Sequence, residues 1–275
     1  MLVKFLLAAI FGLMLSAAGL LQPSRQRSLL GARGQDGQHL KLMSWNIGYG
    51  ALETETRARN EDLPAVARII LNNDPDAVAL QELTGESQLK LLLKHLKNRY
   101  RGQVSTSGKA DRVAAVLVKD RNVHFDDIPA GDRFAVAASF RLRSQMPEIV
   151  FISAHADAFS SARRRTFGSD VVDWARSRAG GEIAFIAGDL NLEVSVRNKT
   201  NLFTDDAKND SETYGYFSKY FRDLARDAGE TSINDRRIDY VFGPSETVTL
   251  RRAEVLHGTA IGRMDHWPLL VEVAV

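Results

Sequence analysis

The chain has 275 residues, 44% of them hydrophobic and 25% charged, which is the composition of an ordinary globular protein rather than a disordered one. The formal net charge of +2 originates in the first 39 residues, where Lys4, Arg25, Arg27 and Arg33 face one acid, Asp36, so the body is not a generic nucleic-acid magnet. The absence of cysteine excludes structural disulfides, thiolate zinc sites, a thiol nucleophile and a lipid carried on an N-terminal cysteine.

Residues 1–21, MLVKFLLAAIFGLMLSAAGLL, set Lys4 ahead of an uncharged run from Phe5 to Leu21, with Ser16, Ala17 and Ala18 as small residues that suit a signal peptidase. They read as an export signal or a membrane anchor. The run of roughly 17 residues lies between a signal-peptide core and the ~20 residues that span a bilayer, so cleavage and retention both stay open. The bland alternative is a buried helix, although such helices are rarely apolar on every face. Residues 22–39 are polar, contain Gly and lack periodicity, and read as a flexible stalk.

From Leu40 onward, short apolar runs predict strands at 41–47, 76–83, 112–118, 133–142, 148–154, 182–188, 236–242 and 268–275. Helical spacing appears at Leu63/Val66/Ala67/Ile70, Leu89/Leu92/Leu93/Leu96, Phe167/Val171/Trp174/Ala175 and Phe217/Tyr220/Phe221/Leu224, the last closed by Gly229. Between Arg112 and Ala154 strands follow one another without a helix, so the sheets must be mixed rather than wholly parallel. With no internal linker or repeat, residues 40–275 read as one compact α/β domain.

Polar residues cluster where these strands end. Trp45-Asn46 closes the first, Gln81-Glu82 the second, and His155 with Asp157 follows EIVFISA. Asp189 and Asn191 follow EIAFIAG, Asp239 lies within RRIDYVF, and Asp265-His266 precede the last strand. Singly, each carboxylate is better explained as a turn former or helix cap, and Asp189-x-Asn191 as an Asx-turn. Together they point to one shared mouth, in which carboxylates hold a divalent cation and imidazoles handle protons and phosphate charge.

The ordered motifs WN (45–46), QE (81–82), GDLN (188–191), RIDYVF (237–242) and DH (265–266) resemble those of the endonuclease/exonuclease/phosphatase superfamily, typified by deoxyribonuclease I. The resemblance covers Leu42 to Val275 and implies a four-layer α/β sandwich, two mixed β-sheets packed face to face with helices on the outside. It also implies a metal-dependent phosphoesterase using Mg²⁺ or Mn²⁺. Glu82 would be the principal ligand of such a hard cation, with Asn46 and Asp265 completing its surroundings through water. Asp189 and Asn191 would orient or activate the attacking water and steady the phosphate. His266, held by Asp239, would be the catalytic imidazole, and His155 would donate to a phosphate oxygen or protonate the leaving group.

The AHAD segment (154–157) places a histidine where deoxyribonuclease I and sphingomyelinase-like members have one, and weighs against abasic-site repair. Thr84 stands where deoxyribonuclease I has an arginine, which puts a DNA contact there in doubt. Basic pairs and triplets at SARRRTF (161–167), Arg236-Arg237 and Arg251-Arg252 read first as solvated charge, and no stacking aromatics accompany them. The expectation is a monomeric phosphodiesterase acting on extracytoplasmic nucleic acid, exported or anchored through residues 1–21. The alternatives are a phospholipid headgroup hydrolase of the sphingomyelinase-like type and a non-enzymatic binding protein on the same fold.

Overall fold

The computed structural model describes residues 38–49, 59–106, 112–119, 122–178, 182–194, 203–259 and 261–275. The leader and all but the end of the stalk expected before β1 lie outside the described residues. Among the described residues, no helix is long and apolar enough to cross a membrane.

One sheet combines β1 (His39–Asn46), β2 (Ala77–Leu83), β3 (Arg101–Val104), β4 (Val113–Val118), β11 (Thr249–Val255) and β12 (Leu269–Ala274) in the order β11-β12-β1-β2-β4-β3. The other takes β5 (His124–Ala130), β6 (Arg133–Phe140), β7 (Glu148–His155), β8 (Glu182–Asp189), β9 (Arg222–Asp223) and β10 (Asp239–Gly243) in the order β5-β6-β7-β8-β10-β9. Each sheet contains one parallel pair, β1 with β2 and β7 with β8, and each pair is joined by a crossover helix: α1 (Leu63–Asn73) and α3 (Ser161–Ser177). The remaining pairings are antiparallel, so both sheets are mixed.

Three apolar layers account for the burial pattern. Between the sheets lie Leu42, Ala79, Val116, Phe151, Phe185 and Val271. Outside the first sheet, α1 and α2 (Glu86–His95) cover Trp45, Leu80 and Leu270 with Leu63, Val66, Leu89 and Leu92. Outside the second, α3 and α4 (Ala207–Tyr220) cover Ile152, Ile186 and Phe242 with Phe167, Val171 and Phe217. Strand β2 is buried at every position because both of its faces are covered, hence its nearly continuous apolar run. The four-layer sandwich is thus the observed architecture. Gln81 Nε2 donates to Ser153 Oγ (3.1 Å), and Ser153 Oγ donates to the Leu80 carbonyl (3.1 Å), pinning the two sheets together in the middle.

The last helix differs from its expectation. It starts at Ala207, capped by Asp206, whose carboxylate accepts from the Lys208 and Asn209 amides, and it ends at Tyr220. Phe221 turns extended so that β9 can pair with β10, and Leu224 enters the layer between the sheets instead of continuing the helix.

Candidate active site

The C-terminal ends of both parallel pairs meet at one mouth. Asn46 ends β1, Glu82 lies near the end of β2, His155 ends β7 and Asp189 ends β8, with His155 and Asp189 in register. Strand β10 runs antiparallel to β8, so its first residue, Asp239, pairs with Asp189, and His266 arrives just before β12. Close backbone approach makes this possible: Gly188 has φ +148°, and a Cβ there would lie 1.8 Å from the Ala154 carbonyl oxygen.

Glu82 reaches the mouth through a local distortion. The β2–β4 register shifts between Leu80 and Leu83, and Glu82 takes φ +65°, a left-handed conformation unusual for a side-chain-bearing residue. Its Oε1 accepts from Asn46 Nδ2 (3.3 Å) and Arg112 Nη1 (3.3 Å), while Oε2 is buried with no hydrogen-bond partner. Gly48 crosses so near that a Cβ there would lie 2.0 Å from Oε2. Burial pushes the Glu82 carboxyl up to about 7 against the opposing pull of Arg112 and Asn46. A buried carboxylate with one oxygen unsatisfied suits a hard cation, while the Asn46 carboxamide turns its nitrogen to Glu82 and its Oδ1 accepts from the Gly48 amide (2.9 Å).

Across the mouth, His266 Nδ1 lies 2.8 Å from Asp239 Oδ2, with both side chains buried. Burial alone would lower the His266 value, but the carboxylates of Asp239, Asp189 and Asp265 outweigh it and raise it to about 10. His266 is therefore an imidazolium, with Nε2 3.7 Å from Asp189 Oδ2. His155 is the opposite case: burial lowers it to about 4 despite Asp189, so it is neutral, with Nε2 3.7 Å from Glu82 Oε1 and 3.8 Å from Asp189 Oδ2. Asp189, Asp239 and His266 present ligand atoms within 4.8 Å of one another. In this trio His266 Nδ1 and Asp239 Oδ2 already face each other at 2.8 Å, whereas Glu82 Oε2 is buried without a partner and is the freer oxygen for a cation.

Asp189 makes the Asx-turn its motif allows and also turns one oxygen into the mouth. Its Oδ1 accepts from the Asn191 amide (3.0 Å) in an Asx-turn, while Oδ2 accepts from Asn46 Nδ2 (3.0 Å) and faces the two imidazoles. Asn191, at φ +50°, directs its side-chain amide to the Ala156 carbonyl (3.4 Å). Asp265 lies at the margin, its Oδ1 4.0 Å from His266 Nε2 and its carboxyl raised by burial.

The basic segments divide in a way their sequence does not reveal. Of the arginines in SARRRTF, Arg164 is a buried structural residue, its Nε 2.8 Å from Asp210 Oδ1 and its Nη2 3.1 Å from Asp210 Oδ2. Arg165 faces Glu212, and Arg163 turns to Asp157 at the mouth. Arg237 is buried against Asp223, and Arg236 pairs with Glu193. Two further residues escape sequence reading. Arg112, just before β4, comes to the mouth because β4 runs antiparallel to β2. Phe159 is 82% exposed, and its amide donates to Asp157 Oδ1 (2.8 Å), while Arg133 and Arg163 approach Asp157 Oδ2 at 3.4 and 3.5 Å.

Residues 43–261 match the model of the endonuclease/exonuclease/phosphatase family. The chain belongs to that family. Solved structures with the same fold include the human nocturnin catalytic domain with bound sulfate, at 17% identity and TM-score 0.67, covering 86% of this chain and 94% of that one. An endonuclease/exonuclease/phosphatase from Bacteroides vulgatus aligns at 15% identity and TM-score 0.66, covering 86% and 98% of the two chains. A mannosyl-6-phosphatase from Bacteroides thetaiotaomicron aligns at 18% identity and TM-score 0.62, covering 86% and 100%. At these identities the likeness is one of fold. Comparison with curated proteins by sequence gives no match. As a member of the endonuclease/exonuclease/phosphatase family the protein is a metal-dependent phosphoester hydrolase, so the reading as a bare binding scaffold is set aside.

Proposed function

We propose that this family member is a phosphodiesterase acting on nucleic acid outside the cytoplasm. The observation that carries the substrate class is exposed Phe159, whose backbone amide is held by buried Asp157, the carboxylate that Arg133 and Arg163 also approach. An exposed ring on a turn whose anchoring carboxylate also gathers two guanidiniums suits a base next to a phosphate, because stacking is tolerant of base identity and arginine pairs with phosphate oxygens. The other large hydrophobic side chains that stand exposed among the described residues, Phe203 and Ile233, also lie on loops at this end, after β8 and before β10.

Glu82 and Asn46, with Asp265 through water, would hold Mg²⁺ or Mn²⁺, which when bound supplies Lewis-acid polarisation of the phosphoryl oxygens. In the mechanism we infer, Asp189 Oδ2 takes a proton from the attacking water as the new oxygen–phosphorus bond forms. The ester bond opposite breaks, and its oxygen leaves protonated by solvent. The Asn191 amide and Asn46 hold Asp189 in place. His266, kept cationic by Asp239, offsets charge on the non-bridging oxygens. His155, neutral through burial, suits a hydrogen-bond donor to a phosphate oxygen better than an acid for the leaving group.

A panel of single- and double-stranded DNA, RNA, sphingomyelin vesicles, bis(p-nitrophenyl) phosphate and a sugar monophosphate, each with Mg²⁺, Mn²⁺ or chelator, tests this reading. Nucleic acid should be the preferred substrate, and Phe159→Ala should raise KM for oligonucleotides without changing turnover of the small diester. Preference for sphingomyelin would favour the headgroup-hydrolase alternative, which the same exposed side chains would serve at a bilayer interface. The extracytoplasmic setting rests on residues 1–21, and a reporter active only after export, fused behind His39, should be active. The mass of the mature chain then separates cleavage from anchoring.

A further inference from the structure

Away from the mouth, the edge strands of the two sheets come together around a groove of about 650 Å³. Strand β9 closes the second sheet and β11 the first. The groove has an apolar floor that includes Leu224, Leu250 and Ala253, and Arg222, Arg226, Arg251 and Arg252 converge on it. The β11–β12 register shifts between Leu250 and Arg252, and this irregularity lets the consecutive residues Arg251 and Arg252 both line the groove instead of pointing to opposite faces. Arg252 pairs with Glu254, and the nearby Asp223 is taken up by Arg237. Arg222, Arg226 and Arg251 are left with only Asp227 among the lining acids to oppose them.

Charged side chains on edge strands often serve to block strand addition, and for that purpose they spread outward. Here they converge on one concave volume at the cost of mutual repulsion, which an anion would relieve. Concavity argues against a flat bilayer, and the apolar floor argues against a lone inorganic ion. We propose that this groove is a second binding site for a phosphodiester chain, engaging a single-stranded segment of nucleic acid outside the catalytic mouth. Arg222 pairs with Gly243, four residues along β10 from Asp239, which puts it about 14 Å from the mouth at the usual strand rise. That span is a few nucleotides of extended strand. The identity of the chain as nucleic acid rests on the substrate reading above, whereas the anion site does not.

The test is fluorescence anisotropy with a labelled 30-nucleotide single strand, in chelator so that nothing is cleaved, on the wild-type protein and Arg222→Glu/Arg251→Glu. The variant should bind at least about tenfold more weakly at low salt. Its dependence of log Kd on log salt should be shallower by about 1.4, two phosphate contacts at ~0.7 each. Turnover of bis(p-nitrophenyl) phosphate should be unchanged, since that substrate is too short to span from the mouth to the groove. Arg222→Gln/Arg251→Gln removes the same two cations without reversing them, so it should show about the same loss of slope with an intermediate affinity, and it guards against misfolding of the charge reversal. Equal affinity and equal salt slope in all three proteins would overturn the proposal. Loss of binding to phosphatidylglycerol vesicles with oligonucleotide affinity intact would overturn it in favour of a membrane surface. Loss of oligonucleotide binding in a protein that cleaves no nucleic acid would uphold the groove and remove the substrate assignment instead.

Discussion

Changing Asp239 to Asn probes the pair at the centre of the mouth. Asp239 is fully buried and its Oδ2 lies 2.8 Å from His266 Nδ1, so the substitution keeps the volume and removes the charge facing a buried imidazolium. A hydrogen bond to a charged group contributes about 1.5–3 kcal/mol. Expressed wholly in the transition state, that is a loss of about 10- to 150-fold in kcat/KM. The Asn amide can also present N–H to Nδ1 and select the wrong tautomer, which places the expectation at the upper end. His266→Ala should cost more, because the cation itself goes. The double variant should be little worse than His266→Ala, since Asp239 acts through His266 and groups acting as one unit are not additive. Initial rates on bis(p-nitrophenyl) phosphate at saturating Mg²⁺ give the three ratios, thermal melts exclude unfolding, and His124→Ala, at an exposed edge position, serves as control. A double variant whose defect equals the product of the single defects would refute the coupling, as would full turnover in Asp239→Asn.

Three further outcomes are expected. Glu82→Gln should raise the half-saturating Mg²⁺ concentration at least about tenfold. It should leave Tm in chelator equal or higher, because burial already disfavours the Glu82 carboxylate; an unchanged metal dependence would remove Glu82 as a ligand. Arg164→Met should lower stability by about 3–5 kcal/mol, since it leaves the Asp210 carboxylate buried without its bidentate partner, and Arg164→Met/Asp210→Leu should recover part of the loss in denaturant titrations. Burial pushes the Asp157 carboxyl up, but the Phe159 and Ser160 amides and the guanidiniums of Arg133 and Arg163 outweigh it and hold it below the usual range. Its stabilisation is therefore present above the unfolded-state value and lost as pH falls through the lower folded-state value, so Asp157→Asn should narrow the gap in Tm between pH 7 and pH 3; an unaltered gap would refute that assignment.

The sequence by itself determined the interior strands and the order of the chemistry along the chain. Strands covered on both faces, such as VAAVLV in β4 and VFIS in β7, must be apolar to be buried, and their ends must be polar where the core stops. Hence Asn46, Glu82, His155, Asp189, Asp239 and His266 could all be singled out before any fold was known, and the ordered motifs carried the resemblance to the family. Edge strands face no such demand. β3 is short, β5 contains Pro129 and β9 is two residues long, so none shows the alternation that betrays a strand, and β11 shows itself chiefly through its arginines. Tertiary structure alone decided which charges face the mouth and which are buried. Nothing in the letters of SARRRTF separates Arg164, buried on Asp210, from Arg163, turned to the mouth, because burial depends on what α4 brings across from 46 positions away. It also decided the opposite protonation of the two imidazoles. His266 has a carboxylate at 2.8 Å and His155 has none nearer than 3.7 Å, and that difference arises only when two sheets, distant in sequence, close on each other.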